Sequence, residues 1–138
     1  MRAIKEIIVH CSATKPSVDI GAREIGIWHT RDNGWESIGY HYVIRRNGFI
    51  ERGRAEWRPG AHCVGHNKHS IGVCYVGGLD QNGCPSDTRT DAQKKALLKL
   101  LKELVTKYHC EIHGHREYSS KACPCFDAYN EYRSLWKS

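Results

Sequence analysis

The sequence predicts an α/β fold in a single domain, a mixed central β-sheet flanked by helices. Three observations carry this. Apolar β-branched runs alternate with segments of helical period along 138 residues. The run IKEIIVH (4–10) is apolar enough to be a buried central strand and not a half-exposed one. Finally, Asn47-Gly48 sits between two strand-like segments, which adds an antiparallel hairpin. A hydrophobic fraction of 40% and a charged fraction of 26% are those of a compact globule. Residues 1–138 are therefore expected to form one domain with a real core.

The elements follow in order. The first strand ends at His10. Residues 19–30, DIGAREIGIWHT, place Ala22, Ile25 and Trp28 or His29 at helical spacing, with Asp19 as the expected cap. The stretch 38–53 is expected to fold back through a type I′ turn at Asn47-Gly48, and SIGVCYVGG (70–78) to join the same sheet until two glycines stop it. From Thr90 the period changes. Thr90 and Gln93 form a capping box, and Ala96, Leu97, Leu100, Leu101, Leu104, Val105 and Tyr108 line one face of the longest helix. HCEIH (109–113) reads as an edge strand, and FDAYNEYRSLW (126–136) as a closing amphipathic helix.

Composition narrows the function. The N-terminus has only a three-residue apolar run before His10, too short for the core of a signal peptide, and no segment has bilayer-spanning length. Cytoplasmic synthesis without membrane insertion is the expectation. Seven cysteines, an odd number, point to reduced thiols and not to a disulfide framework. The formal charge of +6 suits an anionic partner. Nucleic acid is the weaker choice, since lysines and arginines are scattered among acids and no interleaved aromatic and basic pattern appears.

The chemistry concentrates in HGHREYSSKACPCFD (113–127). Imidazole nitrogen and thiolate sulfur are ligands for Zn²⁺, and a catalytic zinc takes three protein ligands while keeping a position open. His115 and Cys123 supply two. His10 is the best third candidate, because α/β proteins place their sites where central strands end. Other readings compete. A strand-end histidine is more often a hydrogen-bonded structural residue, and a free cysteine a buried thiol. Cys110, His113, Cys123 and Cys125 could instead make a closed structural zinc site. Cys11 should point to the face opposite His10, and Cys63, Cys74, Cys84 and Cys110 read as structural.

The blocks HCSATKP (10–16), GYHYVI (39–44), GAHCVGHN (60–67), SIGVCYVGG (70–78) and HREYSSKACPCFD (115–127) together resemble the zinc-dependent N-acetylmuramoyl-L-alanine amidases. That family includes amidase-type bacteriophage lysozymes and animal peptidoglycan recognition proteins. The resemblance implies zinc ligation by His10, His115 and Cys123, a catalytic tyrosine at Tyr40 and a catalytic lysine at Lys121. It also implies hydrolysis of the amide between N-acetylmuramic acid and L-alanine of the peptidoglycan stem. His62 and Asn67, in the Gly-rich loop, are candidates for lining a substrate groove, although such residues also serve as turn formers. Two departures stand out: Arg116 where phage members can carry a second histidine, and the extra thiol of Cys125. Non-catalytic members lack the ligand cysteine, so Cys123 favours an enzyme over the alternative, a module that binds peptidoglycan or a protein without cutting. A monomer that reaches the wall only after release from the cell is the expected way of working.

Overall fold

The computed structural model describes residues 2–137. Five strands form one sheet: β1 (Glu6–Cys11), β2 (Tyr42–Ile44), β3 (Ile50–Arg52), β4 (Ser70–Tyr75) and β5 (Glu111–Gly114), in the order β3-β2-β4-β1-β5. Only β2 and β3 pair antiparallel, and β2–β4, β4–β1 and β1–β5 are parallel. The sheet is thus mixed, as expected. Its centre is β1, whose Ile7, Ile8 and Val9 are wholly buried, which explains the unbroken apolar run.

Two helices cover opposite faces. Helix α2 (Asp91–Tyr108) buries Leu97, Leu100, Leu101 and Leu104 against Ile7, Val9, Ile71 and Val73. Its capping box forms as the sequence predicts: Thr90 accepts from the Gln93 amide at 3.0 Å, and the Gln93 side chain accepts from the Thr90 amide at 3.0 Å. The same Gln93 amide group donates to the carbonyls of Ile44 (3.2 Å) and Val76 (2.9 Å), so the helix start is bonded to β2 and to the end of β4. Helix α1 (Ala22–Asn33) covers the other face, with Ile25 packed on Ile38, Val43, Cys74 and Val76.

Three local expectations are corrected. The N-cap of α1 is Gly21, not Asp19; Glu24 Oε1 accepts its amide at 2.8 Å, and Glu51 Oε1 accepts from Ala22 at 2.9 Å. Asp19 instead reaches Arg45 at 3.5 Å. In the hairpin only Gly48 has positive φ (89°), and its N–H donates to the Arg45 carbonyl at 2.8 Å. Asn47 therefore does not take the left-handed shape a type I′ turn requires, and the connection is a three-residue loop ending in a left-handed glycine. The closing helix is short. Asp127 caps α3 (Ala128–Tyr132), and a 3₁₀ turn over Arg133–Leu135 follows.

Strand β4 ends at Tyr75, just ahead of the predicted glycine pair. Gly78 (φ 101°) pairs with Thr14, and a Cβ on it would come 2.5 Å from Cys11 Sγ, so this crossing of two chain segments admits only glycine.

Candidate active site

Strand polarity places the site. β1 and β5 run parallel, with Val9 beside Gly114, so His10 near the end of β1 and His115 just after β5 emerge side by side at the same sheet edge. Their ring centroids are 4.5 Å apart. Alternation along β1 sends Cys11 to the α2 side, where it is core, and His10 to the other. Cys123 arrives on the loop after β5, its Sγ accepting the Cys11 N–H at 3.1 Å. One ligand atom each from His10, His115 and Cys123 lies within 4.8 Å of the others, the sole group of this kind among the described residues.

The rival closed site does not form. His113 is held by Glu117 (2.8 Å) and Glu111 (2.9 Å), and Cys125 faces Cys11 at 3.9 Å. Cys63, Cys74 and Cys110 are buried and Cys84 is exposed.

Electrostatics suit a cation. Burial, then the neighbouring His62 and His115, hold His10 well below the ordinary imidazole range, and burial together with the charge of Lys121 lowers His115. Both rings are therefore neutral near pH 7, the form that offers a lone pair. Two imidazoles and a thiol within bonding reach of one point match the donor set and number of a catalytic zinc site.

An open cleft of about 670 Å³ lies above this group, lined among others by His10, His29, Tyr40, His62, His115 and Lys121. The Tyr40 ring stands 5.0 Å from that of His10, and burial pushes its hydroxyl well above the usual range, so it is a proton-bearing phenol at any working pH. Lys121 is exposed at the cleft, two residues before Cys123. His62 and Asn67 also line it, and the His62 ring nitrogens and the Asn67 Oδ1 are engaged within the protein. His62 Nδ1 lies 2.8 Å from His10 Nε2, and Asn67 Oδ1 accepts the His62 and Cys63 amides, each at 3.0 Å. Arg116 reaches Asp127 at 3.8 Å.

His29, Trp35 and Tyr118 also line the cleft and carried no sequence assignment as site residues. His29 Nδ1 accepts the Gly39 N–H at 2.8 Å and its ring lies 5.3 Å from Tyr40. The available signal was the polar His29 on the inward stripe of α1.

A cleft lined by His10, His115, Tyr40 and Lys121, with His10, His115 and Cys123 grouped as metal-type ligands, has the make-up of a metal-assisted hydrolase. The sequence profile of N-acetylmuramoyl-L-alanine amidases matches residues 1–126, and the chain belongs to that family. The endolysin of Escherichia phage T7 is 48% identical over 122 residues, 88% of this chain and 80% of that one. Peptidoglycan-recognition protein SC2 of Drosophila melanogaster is 33% identical, with 94% and 70% of the two chains covered. Among solved structures, the N-acetylmuramoyl-L-alanine amidase LysC from Clostridium intestinale superposes with a TM-score of 0.82 at 26% identity, over 97% of this chain and 86% of that one. The protein is a peptidoglycan amidase.

Proposed function

We propose that His10, His115 and Cys123 hold one Zn²⁺ and that Tyr40 and Lys121 act on the substrate beside it, in hydrolysis of the bond joining the lactyl group of N-acetylmuramic acid to L-alanine. The observation that carries this is the convergence of the three ligand atoms within 4.8 Å of one another, with His10 and His115 lining the cleft. When bound, zinc in such a site polarises a carbonyl and activates a water for attack.

The chain's own groups do the rest. Attack on the amide carbon leaves an oxyanion, which a Tyr40 hydroxyl or Lys121 ammonium stabilises more than the neutral ground state, so the contact lowers the barrier. The leaving nitrogen departs only as an amine and needs a proton. Burial keeps the Tyr40 hydroxyl protonated, and Lys121 lines the same cleft, so either side chain is placed to act as the donor. The +6 charge favours approach to an anionic wall polymer. The enzyme works as a single-domain monomer that meets peptidoglycan once released from the cell. No described helix is long and apolar enough to cross a membrane, which suits release by a separate agent.

The test is incubation of purified protein with peptidoglycan, with and without a zinc chelator, scoring new L-alanine amino groups. They should appear, and chelation should abolish them. Reducing sugar ends in their place, or turnover indifferent to chelation, would refute the reading.

A further inference from the structure

His62 sits where a substrate contact would be expected, yet it offers a substrate no free polar atom. Its Nδ1 lies 2.8 Å from His10 Nε2 and its Nε2 lies 3.2 Å from Ser70 Oγ. The two rings meet edge to face, centroids 4.9 Å apart at 90°, which aims each nitrogen at its partner. A neutral imidazole carries a single N–H, so the two contacts must run in one sense, which the tautomer of His10 sets. If His10 uses Nδ1 as its lone-pair donor, Nε2 bears the proton and donates to His62 Nδ1, and His62 in turn donates from Nε2 to Ser70 Oγ.

The surroundings are built to hold that ring. A Cβ on Gly60 would come 2.5 Å from His62 Cδ2, and one on Gly72 would come 2.6 Å from the same atom, so two glycines from different segments leave a slot the width of an imidazole. Gly72 lies in β4 and its N–H donates to His41 Nδ1 at 3.0 Å, which leaves that wall no freedom to shift. The backbone of His62 is clasped by Asn67, and Arg2 donates to the carbonyls of Asn67 (3.1 Å) and Ser70 (2.9 Å), tying down the end of the loop.

We propose that His62 is a positioning residue for the metal site: by accepting the Nε2–H of His10 it selects the ring nitrogen and the ring orientation that His10 presents to the ion. The inference rests on the zinc reading above. A histidine ligand whose other nitrogen is hydrogen-bonded has a fixed tautomer and a more basic donor atom, and losing such a partner typically weakens metal affinity roughly 10–100-fold.

Zinc affinity measured by competition against a chromogenic chelator tests this on wild type, His62→Ala, His62→Asn and His62→Gln. Asn places an acceptor oxygen near the position of Nδ1, whereas Gln reaches only toward that of Nε2. Wild type should take up one zinc, His62→Ala and His62→Gln should bind it roughly 10–100-fold more weakly, and His62→Asn should recover most of the loss. KM for peptidoglycan should hardly move. A folded His62→Ala or His62→Gln with wild-type zinc affinity, or Gln rescuing as well as Asn, overturns the inference while leaving the metal site standing. A wild type that takes no zinc overturns both. Should His62→Ala not fold, the Asn and Gln pair decides alone.

Discussion

The backbone N–H of Cys11 points at the sulfur of Cys123, 3.1 Å away across 112 residues of chain. Strand β1 thus serves the site twice, presenting the His10 ring on one side and holding the thiol through the next residue's amide. The loop bearing Cys123 is anchored further by Tyr75, whose hydroxyl donates to the Pro124 carbonyl at 2.6 Å.

Removing that sulfur should therefore remove the metal and not the fold. Cys123→Ala is expected to retain its circular dichroism while its zinc content falls from one per chain to near zero. Excess zinc should raise the Tm of wild type, because an ion that binds only the native state stabilises it, and should leave the variant's Tm unchanged. Undiminished zinc in Cys123→Ala would mean that another residue supplies the ligand.

In the proposed mechanism, Tyr40→Phe and Lys121→Ala each delete a donor to the substrate. A kcat loss on the order of 10²–10³ is expected for each, with zinc content and sedimentation with peptidoglycan unchanged. Steady-state kinetics alongside metal analysis separates the two effects. Near-normal kcat in both would remove them from the chemistry.

Acid should destabilise the zinc-free protein through His41. Its ring is 1% exposed, and burial outweighs the Arg58 carbonyl it bonds at 2.8 Å, lowering its pKa from 6.5 to about 4; Arg2 and Arg54 add to the lowering, and Glu56 opposes it. The unfolded chain then binds the proton more readily than the folded one, so stability rises with pH across this window. His41's share is complete above pH 6.5 and declines toward pH 4, by up to roughly 3 kcal/mol. Urea unfolding at pH 7 and pH 4.5 should show a smaller difference in His41→Asn than in wild type. An equal difference would acquit His41.

Arg89 tests the anchoring of the C-terminal segment. Its side chain is 2% exposed, bonds Asp87 and Glu131 at 2.8–2.9 Å and the Tyr132 hydroxyl at 2.8 Å, and lies over the Phe126 ring at 3.5 Å. Arg89→Met should lower unfolding free energy by about 2–4 kcal/mol in chemical denaturation, as charged hydrogen bonds are lost from a covered site. Phe126 is three residues beyond Cys123, so zinc should also bind more weakly. Stability within 0.5 kcal/mol of wild type, the range of ordinary surface changes, would show the cluster to be ornamental.

By itself the sequence determined the elements whose cause is local. The β-branched run made β1 a buried strand, the Thr90–Gln93 box started α2, and a glycine turned the hairpin. The proposed ligands His10, His115 and Cys123 also stand in motifs legible as strings. Tertiary structure decided what depends on neighbours distant in sequence. Gly21 caps α1 because Glu51, on β3, supplies an oxygen to the helix start, which no local pattern around Asp19 encodes. His29 faces Tyr40 only because α1 packs on the sheet face against which Tyr40 also lies. His62 reaches His10 because Gly60 and Gly72, on separate segments, leave a slot that admits its ring. Periodicity and capping act over one or two turns of chain, whereas a hydrogen bond between side chains 52 residues apart exists only once strand order has brought their backbones together.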